Sequence, residues 1–163
     1  MRKITELVLN THELSRRAGE LKQVRHTVGA PADLGVEMVG VLENSPIELD
    51  LTLQSAGDGI LVTGTAKAHL NGSCVRCLNT FEYDASFNIT QLYYYPGRET
   101  DEDAHYVVDD QIDLDPALRE AIVLELPINP LCLPQCYGLC CECGFNLNEN
   151  PEHNHRDTPT AAR

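Results

Sequence analysis

No stretch of this chain approaches the roughly 18 consecutive apolar residues that a helix needs to cross a bilayer. Its first residues also lack the apolar run of an export signal, although Arg2 and Lys3 give a positive start. Both absences predict a cytoplasmic protein in a reducing setting, with no membrane partner. Basic charge is scarce too: 12 Lys and Arg stand against 25 Asp and Glu, a formal net charge of −13. That argues against a surface gripping nucleic acid everywhere, because phosphate neutralisation by cations supplies most non-specific affinity. Catalytic constellations are missing as well. There is no paired nucleophile and base, no phosphate loop (Gly57-Asp58-Gly59 reads as a turn), and no Lys-Thr or Lys-Ser of the nucleotide-binding kind. The expectation is a non-enzymatic protein with no small-molecule substrate.

The few cations are unevenly placed. Arg2, Lys3, Arg16, Arg17, Lys22 and Arg25 make up half of the 12 basic residues. Against them the first 30 residues hold only Glu6, Glu13 and Glu20, so this part carries +3 and the remainder −16. Such asymmetry points to a basic contact arm for RNA or a protein partner on an acidic body, against the plainer reading of a solvated edge.

What the chain does have is cysteine, 7 residues in two stretches. Cys74-Val-Arg-Cys77 is the first, and Cys132, Cys136, Cys140, Cys141 and Cys143 form the second, running into Gly144. Reduced Cys-x2-Cys pairs read as metal ligands, since one tight bend delivers two thiolates to a tetrahedral zinc ion. A glycine after the second cysteine suits that bend, because the position tolerates positive φ; Gly144 fits and Leu78 does not. One structural zinc is expected, with ligands drawn from Cys74, Cys77, Cys132, Cys136, Cys140 and Cys143. Three sets of four stay open: the two Cys-x2-Cys pairs together, the four downstream cysteines, or the first pair with Cys132 and Cys136. A closed four-thiolate site carries −2, taking the chain from −13 to about −15. Cys141 reads as a spare thiol. Beside ligands, and with Arg76 inside the first pair, it motivates an alternative, a redox-sensitive zinc switch. The histidines are scattered, and His153 and His155 are set aside in a solvated tail.

Period-two alternation predicts strands over 47–54, 60–70 and 81–95, joined by short turns into an antiparallel meander with one buried face. Weaker strands are expected over 5–9, 24–28 and 36–42, with a helical turn near 11–17. Acidic residues crowd 96–115, read as an exposed loop with a short extended piece at 106–108. Asp115-Pro116 opens a helix with Asp as its cap, Leu114, Leu118, Ala121, Ile122, Val123 and Leu126 as its apolar face, and Pro127 as its stop. The fold class is therefore α+β: an antiparallel meander, one main helix packed on it, and a C-terminal cysteine-rich zinc-binding segment. The domain is expected over 1–150, with 131–148 as the cysteine-rich part and 151–163 as a disordered tail.

Several motifs together resemble the YceD family of bacteria and plastids. They are Cys74-Val-Arg-Cys77-Leu78 after a long strand, Asp113-Leu114-Asp115, and Leu126-Pro127-Ile128-Asn129-Pro130-Leu131-Cys132. Gly138-Leu139-Cys140-Cys141-Glu142-Cys143-Gly144 and Asn146-Leu147-Asn148 complete the set, and this run is similar to the actinobacterial branch. The resemblance implies a role in accumulation of large-subunit ribosomal RNA, hence ribosome biogenesis, with ribosomal RNA or a ribosomal protein as partner. It also implies metal binding, although family members without the cysteines show that the fold itself does not require metal throughout. Cys141 departs from the family where proline is common, and the residues after Arg156 lack the usual ending.

Overall fold

A computed structural model describes residues 5–97 and 102–155. Arg2, Lys3, Glu99, Asp101 and residues 156–163 lie outside the described residues. The strands in chain order are β1 (Val8–Asn10), β2 (Leu21–Gly29), β3 (Leu34–Val36), β4 (Val39–Val41), β5 (Pro46–Ala56), β6 (Gly59–Ser73), β7 (Thr80–Tyr94), β8 (His105–Tyr106) and β9 (Gln111–Asp113). One helix, α1 (Asp115–Glu125), follows them, and short 3-10 turns occupy Thr5–Leu7 and Leu14–Arg16.

The centre of the sheet is the expected meander. β5, β6 and β7 pair antiparallel in sequence order, and β6 and β7 stay in register from Gly59 opposite Tyr94 to Ser73 opposite Thr80. β2 adds to the outer edge of β5, with Leu21 opposite Gln54. Beyond the end of β5, the edge of β6 is taken over by β4, which carries β3. β8 lies parallel to the end of β7.

The alternation places Ile47, Leu49, Leu51 and Leu53 inward with Ile60, Val62, Ala66, Leu70, Phe87 and Ile89, all buried in one core. Helix α1 closes this core against β7 and β3. Its residues Leu118 and Ile122 are fully buried, and each such side chain contributes on the order of 1.5–3 kcal/mol. Tyr93 is 1% exposed, and its hydroxyl donates to the Asp113 carbonyl at 2.9 Å.

Several local expectations shift. The 36–42 strand is a hairpin, β3–β4, turning at Glu37 and Met38. The 5–9 strand is a 3-10 turn followed by β1, which pairs with β9 far along the chain. Asp115 does not cap the helix: the cap position is Leu114, and the Asp113 carboxylate instead accepts the Asp115 N–H at 3.0 Å. Asp115 is thereby free to hold Arg119, one helical turn on, at 3.1 Å. Val123, assigned to the apolar face, is 38% exposed, because the buried stripe follows Leu114, Leu118 and Ile122 and Val123 lies around the helix from it.

Candidate metal centre

The long β6–β7 hairpin ends in the first cysteine pair. Between Ser73 and Thr80 the chain makes a compact knuckle: the Cys74 N–H donates to the Asn79 carbonyl at 2.9 Å, and the Leu78 N–H to the Cys74 carbonyl at 2.9 Å. The second pair repeats this pattern. Cys140 N–H donates to the Phe145 carbonyl at 2.8 Å, and Gly144 N–H to the Cys140 carbonyl at 2.9 Å. The position after each second cysteine has positive φ, +75° at Gly144 and +62° at Leu78. Leucine therefore takes the backbone conformation that glycine takes in the other knuckle, at a strain of about 1 kcal/mol. Its side chain is 63% exposed and recovers little by packing. Leu78→Gly is expected to raise stability by about 0.5–1 kcal/mol, read as a higher denaturation midpoint in reduced, metal-loaded protein; a lower midpoint would contradict it.

Both knuckles aim backbone amides at sulfur. Burial pushes the Cys74 thiol up, but the amides of Cys77, Cys132 and Arg76 outweigh it and hold the group at about 6. At Cys140 the amides of Cys143 and Glu142 dominate, again giving about 6. These are the N–H groups that a metal-bound thiolate accepts.

Of the three sets left open by the sequence, the fold assembles the third. Cys74, Cys77, Cys132 and Cys136 bring their sulfurs within 4.8 Å of one another. Cys74 Sγ lies 3.7 Å from Cys136 Sγ, and Cys77 Sγ lies 3.5 Å from Cys132 Sγ. A tetrahedral zinc ion with bonds of about 2.3 Å would set its sulfurs roughly 3.8 Å apart, so the donor set fits. Charge points the same way. The contact with Cys77, then burial, pushes Cys132 up to about 12, and burial also raises Cys77. A site that favours thiolate at Cys74 and Cys136 and resists it at Cys77 and Cys132 accepts four only around a cation.

Three links fasten the two halves. The Val75 N–H donates to the Pro130 carbonyl at 3.0 Å, and the Arg76 guanidinium to the Cys136 carbonyl at 2.9 Å. Phe81, Leu131 and Leu139 pack on the buried cysteines, forming a small cluster separate from the main core.

Asn148 was missed as a site residue. Its side-chain amide donates to Cys136 Sγ at 3.2 Å while its carbonyl oxygen accepts the Tyr137 N–H at 2.9 Å. That amide is the foremost reason the Cys136 thiol lies below its ordinary range. The motif Asn146-Leu147-Asn148 was the available signal, but nothing in its spacing told which cysteine it would serve. Asn148→Leu is expected to weaken metal binding at this centre by roughly 10–100-fold in a chelator competition, as loss of a ligand-orienting partner does. Unchanged affinity would make the contact incidental.

Cys140 and Cys143 do not join the four-cysteine set. They meet His153 and His155 instead, and these four residues also bring their ligand atoms within 4.8 Å of one another. The tail expected over 151–163 is described only as far as His155, and there the turn after Asn150 folds both imidazoles back onto the knuckle. The six cysteines thus divide between two clusters, each suited to hold a metal ion. Cys141 points outward and is exposed.

Of the basic residues, Arg17, Lys22 and Arg25 lie away from this centre, on and before edge strand β2. Arg25 is 3.4 Å from Asp50, Lys22 is 4.0 Å from Glu13, and Arg17 is 3.9 Å from Glu20. These are surface pairs, worth little and easily exchanged for another anion. Among the described residues no helix is long and apolar enough to cross a membrane.

Residues 62–162 match the family model described as Large ribosomal RNA subunit accumulation protein YceD. An uncharacterized protein of Mycobacterium tuberculosis is 37% identical over 154 residues, covering 91% of this chain and 74% of that one. Another, from Mycobacterium leprae, is 38% identical over 157 residues, covering 93% and 72%. A maize protein named Large ribosomal RNA subunit accumulation protein YCED homolog 1, chloroplastic, is 41% identical over 49 residues, 29% of this chain and 17% of its own. No solved structure matches the chain. Both knuckles, the helix and Asn148 fall inside the family match, and this chain belongs to the YceD family.

Proposed function

We propose that this protein is a non-enzymatic, cytoplasmic factor that supports the synthesis, processing or stability of large-subunit ribosomal RNA. In this reading zinc stabilises the cysteine segment at the end of the β6–β7 hairpin. The observation that carries the reading is the family match over residues 62–162, whose description names large-subunit ribosomal RNA accumulation. Zinc suits the assignment of the four-cysteine centre, since four thiolates in a tetrahedron favour it over hard, oxygen-seeking cations. A structural role follows from closure: four sulfurs leave no open position for water or substrate. Burial of Cys74, Cys77 and Cys136 shields them from oxidants and favours this role over a redox switch at this centre.

The basic flank, Arg16, Arg17, Lys22 and Arg25 with Arg2 and Lys3, is the proposed RNA contact. Arg17, Lys22 and Arg25 sit away from the metal segment, on a body that is otherwise acidic. Depleting the protein is expected to lower large-subunit RNA relative to small-subunit RNA, with a matching deficit of large subunits in a sedimentation profile. An unchanged profile would overturn the proposal. In a pulldown across graded salt, replacing Arg16, Arg17, Lys22 and Arg25 by Glu should abolish RNA retention. Full retention would move the contact to the acidic body, which suits a basic ribosomal protein.

A further inference from the structure

We propose that Cys140, Cys143, His153 and His155 form a second, independent zinc centre, so that the chain carries two ions. His153 Nε2 and His155 Nε2 lie 3.3 Å apart, and the sulfurs of Cys143 and Cys140 lie 3.3 Å and 3.1 Å from His153 and His155 respectively. Zinc with two sulfurs at about 2.3 Å and two nitrogens at about 2.05 Å would place S and N roughly 3.6 Å apart and N and N roughly 3.3 Å apart. The nitrogen spacing coincides with that of a tetrahedral ion, and the mixed distances fall a few tenths short.

Thiol–imidazole hydrogen bonds would account for two separate Cys–His pairs. They do not account for two imidazole nitrogens also turned towards each other, where lone pairs repel unless a proton or a cation sits between them. A dication shared by all four atoms satisfies every donor at once.

The surroundings fit the same role. The Glu142 carboxylate is 3.6 Å from His155 Nδ1, on the far side of the ring from the cluster. A carboxylate there favours the tautomer with its proton on Nδ1, leaving the Nε2 lone pair for metal. His153 is held by its face, stacked on Phe145 with ring centroids 4.5 Å apart and planes 26° from parallel. The Cys140 knuckle repeats the hydrogen bonds of the Cys74 knuckle, so its thiolates are presented in the same way.

The two centres differ in what they demand of the protein. Four thiolates and a dication leave −2, whereas two thiolates, two neutral imidazoles and a dication leave no net charge. Cys143 is exposed and Cys140 half-buried, so this second ion exchanges with solvent more readily than the first. Its structural consequence is to fasten residues 151–155 onto the Cys140 knuckle.

Metal content of reduced full-length protein, measured by native mass spectrometry, tests the proposal. Wild type is expected to hold two zinc ions, and His153→Ala/His155→Ala one, with the remaining ion still lost on Cys74→Ser/Cys77→Ser substitution. Cobalt(II) replacement supplies a readout that does not depend on any variant folding. The second equivalent should add a tetrahedral spectrum with about half the thiolate charge-transfer intensity of a four-cysteine site. The proposal is overturned if wild type holds a single ion, or if the double-histidine variant holds as many as wild type. An octahedral cobalt spectrum for the second equivalent would show adventitious binding only and would also overturn it. A single ion retained by four cysteines sinks this inference alone and leaves the ribosomal reading intact.

Discussion

Replacing Cys74 and Cys77 by serine is expected to strip the first centre of its ion and to unfold the stretch around Cys132 and Cys136 while the sheet stays folded. Two ligands remain, Cys132 and Cys136, and two thiolates do not hold zinc against water and a competing chelator. Serine nearly conserves volume, so packing barely changes and the loss belongs to the metal. That stretch has little else to order it. Fixing a chain costs about 1–2 kcal/mol per residue in backbone entropy alone. Its own cluster consists only of Cys74, Cys77 and Cys136 with the partly buried Phe81, Leu131, Cys132 and Leu139. A structural zinc contributes on the order of 10–16 kcal/mol of apparent binding energy in small peptides, which is the scale required. Hydrogen exchange should therefore show protection at Val75, Leu78 and Cys136 falling by at least about 100-fold, roughly 2.7 kcal/mol of local opening energy. Amides in β5, β6 and β7 should keep theirs. Equal protection in variant and wild type would mean that packing, not metal, holds the segment.

The second large effect is expected at Gly64, in the middle of β6 and far from any cysteine. Gly64 is opposite Leu51 on one side and Ile89 on the other, with φ at +153°. A Cβ there would lie 2.1 Å from the Asp50 carbonyl oxygen and 2.8 Å from Leu51 Cα. Both are backbone atoms of a paired strand, so neither moves without breaking the ladder. Gly64→Ala should then combine backbone strain with overpacking and cost about 3–5 kcal/mol. In a domain of this size that is a drop of about 10 °C in Tm. Gly57→Ala, at the β5–β6 turn where nothing lies within 4 Å of the new methyl, should leave Tm nearly unchanged and serves as the control. Similar Tm values for both variants would show that β5 and β6 can separate more easily than their register implies.

The central meander and the helix were legible because their signals are local. Leu49, Leu51 and Leu53 alternate with polar neighbours, and Pro116 and Pro127 bracket the helix. The pairing of β1 with β9 was not legible, because strands of three residues carry too short a pattern to announce partners across the chain. Likewise the β3–β4 hairpin turns at Glu37 and Met38, which are not turn-forming residues by composition.

At the site, cysteine spacing exposed every thiol in the two clusters. Which four share an ion depends on where the β6–β7 hairpin delivers Cys74 and Cys77, and that is long-range geometry. His153 and His155 were visible as an alternating pair but sat in a polar stretch without periodicity. Their placement rests on the turn after Asn150, where the His153 N–H donates to the Asn150 carbonyl at 3.1 Å. Asn148 was hidden for a related reason: its partner, Cys136, is set by how the loop wraps.

Zinc K-edge X-ray absorption on reduced His153→Ala/His155→Ala protein bears most directly on the four-cysteine centre. With the second cluster disabled, one zinc per chain is expected, bound by four sulfurs at about 2.3 Å with no nitrogen or oxygen in the inner shell. A folded, reduced protein without metal, or a zinc ion with light-atom ligands, would contradict it.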